Sequence, residues 1–294
     1  LLRNAPKSFF YKMLRKKNIT LNGKKATGNE KLEAGDTIKL FLSDETFDKF
    51  SEQKQAARAV TALEVIYEDR DILLINKPAG MPVHPSRGNP ENSLGNALAW
   101  YFKEQGVPFV FRCINRLDRD TSGLTIVAKH AVSAAILGQM VRAKAEQGLK
   151  APGIHRTYLA LVEGKVVPVS GVIDAPIARQ EDRCLRRVVD FKRGDRAVTH
   201  YRVLTGWQTG NAQKFRSLVK LQLETGRTHQ IRVHLSSLHH PLLGDEVYGP
   251  KENPFHLEGQ TLHAMVLGFD HPSTGEYIEF SAPLPEYFEK LLKK

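Results

Sequence analysis

Cysteine is nearly absent: Cys113 and Cys184 are the only two in 294 residues, and neither belongs to a CxxC pair or a plausible zinc set. That argues against a disulfide scaffold and structural zinc, and it fits a reducing cytoplasm. No stretch approaches the ~18 consecutive apolar residues of a membrane helix, and the N-terminus lacks the charged-then-apolar layout of a signal peptide. Internal repeats, low-complexity tracts and heptads are missing as well, so nothing calls for a solenoid or a coiled-coil assembly. A cytoplasmic protein with no membrane contact and no obligatory protein partner is expected. Acidic residues are also missing from the first 25 positions, which carry Arg3, Lys7, Lys12, Arg15, Lys16, Lys17, Lys24 and Lys25.

What is present is positive charge. A formal net charge of +11 favours polyanionic partners such as nucleic acid or an acidic membrane surface. The length suits about two domains at roughly 150 residues each. Residues 1–48 read as a small basic α/β module. Ser8 is expected to cap a short helix that turns Phe10, Met13 and Leu14 inward and leaves Lys12, Arg15 and Lys16 outside. Short strands follow, joined by turns at Asn22-Gly23 and Gly35-Asp36. Residues 49–62 are polar and mixed in charge, a linker, and 63–294 form the second domain.

In that domain, Val65, Ile66 and the apolar run Ile72 to Ile75 predict two strands around a charged turn. Asn76-Lys77-Pro78-Ala79-Gly80 breaks them with a rigid loop, and Asn92 or Ser93 is expected to cap a helix bearing Leu94, Ala97, Leu98 and Tyr101. A longer helix spans 131–149 and ends near Gly148. Strands are expected at 156–162, 172–177, 197–204, 217–223, 261–269 and 277–280, mostly antiparallel because the connections are too short for helical crossovers. A polar loop from Arg179 to Arg196, with Arg183, Arg186, Arg187, Lys192 and Arg193, is either an RNA-touching finger or a solvated insertion.

The stretch Ile114-Asn115-Arg116-Leu117-Asp118-Arg119-Asp120-Thr121-Ser122-Gly123-Leu124 crowds charge between apolar runs at 109–114 and 124–128, a pattern of strand, polar turn and strand. Asp118 and Asp120 point the same way if the chain is extended and diverge if it turns. They are paired carboxylates or simple turn caps on that count. An aspartic-protease turn is a poor match, because Ser122 interrupts Asp-Thr-Gly and no second copy exists. The histidines His229, His234, His239 and His240 do not fall three or four apart on one helix face, so no metal site is expected.

Several stretches together resemble the RluA/RluC/RluD-type pseudouridine synthases over essentially all of 63–292. They are Asn76-Lys77-Pro78-Ala79-Gly80-Met81, Arg116 to Leu124, Tyr158-Leu159-Ala160-Leu161-Val162-Glu163-Gly164, and Glu224-Thr225-Gly226-Arg227-Thr228-His229-Gln230-Ile231-Arg232-Val233-His234. Leu243-Gly244-Asp245 with Tyr248-Gly249 and His271-Pro272 follow in order, while Asn115 stands where the family usually has histidine. The resemblance implies an α+β fold, a mainly antiparallel mixed sheet flanked by helices. It also implies conversion of uridine to pseudouridine in RNA by base flipping, with no cofactor. Asp118 would be the catalytic aspartate, attacking the ribose anomeric carbon or removing a neighbouring ribose proton. Arg227 would be its basic partner, Tyr158 would pack against the extracted uracil, Arg116 would enter the vacated space, and Ile231 would close the pocket. Residues 1–48 resemble the small RNA-binding fold named after a ribosomal small-subunit protein, truncated at its start, which points to large-subunit ribosomal RNA as partner. The competing expectation is a non-catalytic RNA-binding or ribosome-assembly factor that uses only the basic faces.

Overall fold

The computed structural model describes residues 2, 5–43, 46–47, 50, 63–85, 90–150, 153–181, 186–209, 214–253 and 255–292. The linker expected at 49–62, apart from Phe50, lies outside them, as do Arg183 and Cys184. The chain divides into two compact units, Leu1–Gln55 and Ala56–Lys294.

The first unit begins with helix α1 (Lys7–Arg15). Its N-cap is Pro6, whose ring favours φ near −68°, and Ser8 lies inside the helix rather than capping it. Met13 is buried with Ile19 and Ala26, while Lys12, Arg15 and Lys16 stay exposed. Strands β1 (Ile19–Leu21), β2 (Lys24–Lys25) and β3 (Ile38–Leu40) form an antiparallel sheet in the order β2-β1-β3. Asn22 and Gly23 both take positive φ, 50° and 79°, as a tight hairpin turn requires. The Asn22 side chain then bonds Asp36 and the Thr37 amide, tying the two turns together.

The second unit is built on one nine-stranded sheet. Its strands are β4 (Glu64–Glu68), β5 (Ile72–Lys77), β6 (Ser122–Ala128), β7 (His155–Glu163), β8 (Ser170–Asp174), β11 (Val198–Thr209), β12 (Lys214–Leu223), β13 (Leu262–Asp270) and β14 (Tyr277–Ser281). They run in the order β4-β5-β6-β13-β7-β12-β11-β8, with β14 also on β13. Only the β6–β13 pairing is parallel, which makes the sheet mixed and mainly antiparallel, as expected. Period-two alternation explains its two cores. Leu73 and Ile75 pack on one face with Leu94, Leu98 and Phe102 of α2 (Leu94–Glu104). Ile72 and Leu74 pack on the other with Leu137 of α3 (Ala131–Gln147). Each such buried side chain contributes roughly 1.5–3 kcal/mol. Ser93 caps α2 through a capping box with Asn96, and Gly148 ends α3 at φ 81°. Further along, Leu159 and Leu161 meet Phe288 and Leu291 of α5 (Glu286–Leu292).

Two expectations need correction. Residues 109–114 do not form a strand: Cys113 makes an isolated bridge to Val127, and Ile114 bonds Ile126. The parallel partner β13 reaches only Ser122 and Gly123 of β6, so this segment covers the edge left beyond it. The polar loop after Arg179 instead contains a hairpin, β9 (Ile177–Arg179) with β10 (Arg187–Val189), and β8 ends at Asp174 before it. No helix among the described residues is long and apolar enough to cross a membrane.

Gly123 sits where β6 and β13 approach most closely. Its φ is +111°, and an added Cβ would lie 2.2 Å from the Ala264 carbonyl oxygen. Gly123→Ala is therefore expected to lower stability by about 2–3 kcal/mol or more, read as a shift in the urea midpoint. A change below about 0.5 kcal/mol would mean that the two strands are not in this register.

Candidate active site

A cleft of about 790 Å³ opens where the segment before β6, the strand β7, and the turn into α4 (Gln230–Ser237) converge. Asp118 is the one carboxylate among its described lining residues, against seven arginines that include Arg116, Arg142, Arg156 and Arg187. Such a wall favours the phosphates of a nucleic acid. The turn separates the two acids: Thr121 N–H donates to the Asp118 carbonyl, Asp118 faces Arg232, and Asp120 takes both donors of the Arg119 fork. Arg116 is therefore not spent on Asp120; it reaches the Thr228 hydroxyl at 3.4 Å on the cleft wall.

The guanidinium beside Asp118 belongs to Arg232, not to Arg227. Arg232 donates from NH1 to Asp118 Oδ2 at 3.2 Å, while Nε and NH2 form a fork on Asp245 at 2.7 and 2.8 Å. Burial opposes its charge, but the hydrogen bonds and attraction of Asp245 and Asp118 more than offset this and raise the guanidinium above its ordinary value. Arg227 lies exposed on the rim, bonded to the Arg196 carbonyl and 3.8 Å from Asp195. The reason is local: α4 starts only at Gln230, whose side chain accepts the Arg227 amide, so Arg227 precedes the helix that carries Arg232 inward. A charged residue among buried Ile231, Val233 and Leu235 must have a partner, and that was the available signal.

Tyr158 and Ile231 do line the cleft, 5% and 4% exposed. Tyr158 stands on β7 opposite Leu221 and Ala264, and burial pushes its phenol above the ordinary value, with Asp118 adding to the effect. Asn115 clamps the turn to β6, donating to the Leu124 carbonyl and accepting from Ile126 N–H. Lys77 was not singled out from sequence. It is fully buried, and its three N–H groups meet the carbonyls of Pro78, Met81 and Arg119, which ties the proline loop to the Asp118 turn. Burial pulls its ammonium down to about 7 against the attraction of Asp120 and Asp118.

Comparison with known proteins decides what this cleft belongs to. The family described as RNA pseudouridylate synthase matches residues 71–237, which span the Asp118 turn, Tyr158 and Arg232. The chain belongs to that family.

Among its relatives is the protein named "Uncharacterized RNA pseudouridine synthase YlyB" of Bacillus subtilis, 40% identical over 281 residues, covering 94% of this chain and 84% of the relative. The ribosomal large subunit pseudouridine synthase D of Zymomonas mobilis is 42% identical over 247 residues, covering 79% and 72%. Human RNA Pseudouridylate Synthase Domain Containing 1 superposes with a TM-score of 0.60 at 25% identity, over 81% of this chain and 96% of that one. In this chain the matched residues include Asp118, 23% exposed at its side chain and held from one side by Arg232.

Proposed function

We propose that this chain isomerises specific uridines of large-subunit ribosomal RNA to pseudouridine, in the cytoplasm. The observation that carries the proposal is Asp118, the one carboxylate among the described lining residues, held by a buried arginine inside an arginine-lined cleft. The chemistry balances without redox or hydrolysis. The bond from ribose C1′ to uracil N1 breaks, a bond from C1′ to C5 forms, and the proton lost from C5 is matched by one gained at N1. Asp118 serves either as nucleophile at C1′ or as base at the neighbouring ribose carbon. Tyr158 supplies a ring against the extracted uracil, Ile231 closes the pocket behind it, and Arg116 enters the stack that the base leaves. Arg227, on the rim, serves a phosphate rather than Asp118.

Ribosomal RNA as the target is supported by relatives named ribosomal large subunit pseudouridine synthase D in Zymomonas mobilis and Xanthomonas campestris, 42% and 39% identical. The first 25 residues, basic and without a single acid, support it too, as part of an RNA-binding module. The test uses large-subunit, small-subunit and transfer RNA transcripts carrying tritium at uracil C5. Tritium release is expected from the large-subunit transcript. Release from transfer RNA alone would move the target, and binding without release from any transcript would leave the non-catalytic ribosome-assembly reading.

A further inference from the structure

Tyr248, from the turn that follows Asp245, sits behind the cleft with 8% of its surface exposed. Its hydroxyl accepts the Arg187 N–H of β10 at 2.8 Å and lies 2.9 Å from His229 Nδ1. The two rings meet edge to face, with centroids 5.6 Å apart at 82°. Two cations flank the tyrosine ring, Arg186 at 5.6 Å and Arg232 at 5.1 Å. The same Arg232 holds Asp118. Tyr248 thus joins the β9–β10 hairpin to the arginine that grips the candidate catalytic acid, and His229 lines the cleft together with Arg187 and Arg232.

His229 precedes α4 in a left-handed conformation, φ 58°, which non-glycine residues adopt uncommonly and which clusters at functional sites. The protons can be assigned. The Tyr248 oxygen already receives the Arg187 amide, so its own proton is free to go to Nδ1. The reverse arrangement would place two donors on the oxygen and leave the hydroxyl proton needing a third partner in a nearly closed site. With Nδ1 accepting, a neutral ring carries its proton on Nε2. Burial holds His229 below its ordinary value, although Asp118 pulls the other way, and burial pushes the Tyr248 phenol up, so both stay neutral at physiological pH.

We propose that Tyr248 is a positioning residue that fixes His229 as the Nε2–H tautomer, and that His229 donates this hydrogen bond in the cleft to a carbonyl oxygen of the detached uracil. When the C1′–N1 bond breaks, its electron pair leaves with the uracil, and the charge spreads onto the carbonyl oxygens. A neutral donor stabilises that charge without competing with the arginines for phosphate or pinning the base as it turns. This rests on the synthase reading of the cleft.

The experiment combines nitrogen-15 NMR of histidine-labelled protein with single-turnover tritium release. In the unaltered protein His229 is expected to show a pyridine-like Nδ1 and a pyrrole-like Nε2, and Tyr248→Phe should convert this to a tautomer mixture. His229→Ala should lose about 100-fold in rate, with RNA affinity held within about threefold. His229→Gln, whose amide N–H stands near the Nε2 position, should recover most of the rate. A protonated Nδ1 in the unaltered protein would overturn the proposal, as would a Tyr248→Phe spectrum unchanged from it or an alanine variant as fast as the glutamine one. If the unaltered protein releases no tritium, the synthase reading itself falls. Release with the wrong tautomer sinks only the role given to Tyr248 and His229.

Discussion

Asp118→Asn is expected to lower tritium release by at least about 1000-fold while RNA affinity stays within about threefold. Both routes open to Asp118 need a charged carboxylate, one to attack C1′ and the other to take a proton, and an amide does neither. Affinity should survive because the seven arginines that line the cleft are all kept by the substitution. The fold should survive as well. Arg232 keeps its fork on Asp245, and Asp118 is 23% exposed, so losing that ion pair is worth about 1 kcal/mol or less. Single-turnover kinetics, filter binding and a urea titration separate the three quantities. An asparagine variant with a tenth of the original rate would show that the carboxylate is not the reacting group. A parallel loss of binding and rate would favour the RNA-binding factor.

Much of this could be read from the chain because local rules and tertiary packing agree. The unbroken apolar run Ile72 to Ile75 marks a strand buried on both sides, and Ser93 before Leu94, Ala97 and Leu98 marks a capped helix. The Asp118 turn stood out only beside the other motifs that carry the family resemblance, because two acids in a polar turn read equally as caps when taken alone. What failed depends on chain geometry that spacing does not carry. Arg227 and Arg232 lie in one motif, and choosing between them requires knowing that His229 is left-handed and that α4 begins one residue later. Lys77 looked like loop punctuation beside Pro78, since its three carbonyl partners include Arg119, 42 positions away. The β9–β10 hairpin was missed because each strand is only three residues long, too short to show a period among the surrounding arginines. Tyr248 and His229 are 19 residues apart and meet only once α4 is docked.

Arg232 is where stability and chemistry are joined, and its substitutions should divide accordingly. The Asp245 side chain is completely buried, and Arg232 fills both of its oxygens. Arg232→Ala leaves that carboxylate without its cation and is expected to cost about 3–5 kcal/mol, enough to lower the melting temperature sharply. Arg232→Lys keeps a charge but not the fork, since one ammonium cannot satisfy both Asp245 oxygens and also reach Asp118. It is expected to fold with a loss of about 1–2 kcal/mol and to react at least about 100-fold more slowly, because Asp118 loses the group that sets its direction. Arg227→Ala is the contrast. Its contacts are the exposed Asp195 and the Arg196 carbonyl, so turnover of bound RNA should fall by no more than about threefold and the loss should appear in affinity and its salt dependence. Thermal unfolding and single-turnover rates on the three variants decide the matter. If Arg227→Ala were the slower enzyme and Arg232→Lys kept its rate, the basic partner of Asp118 would be Arg227 after all.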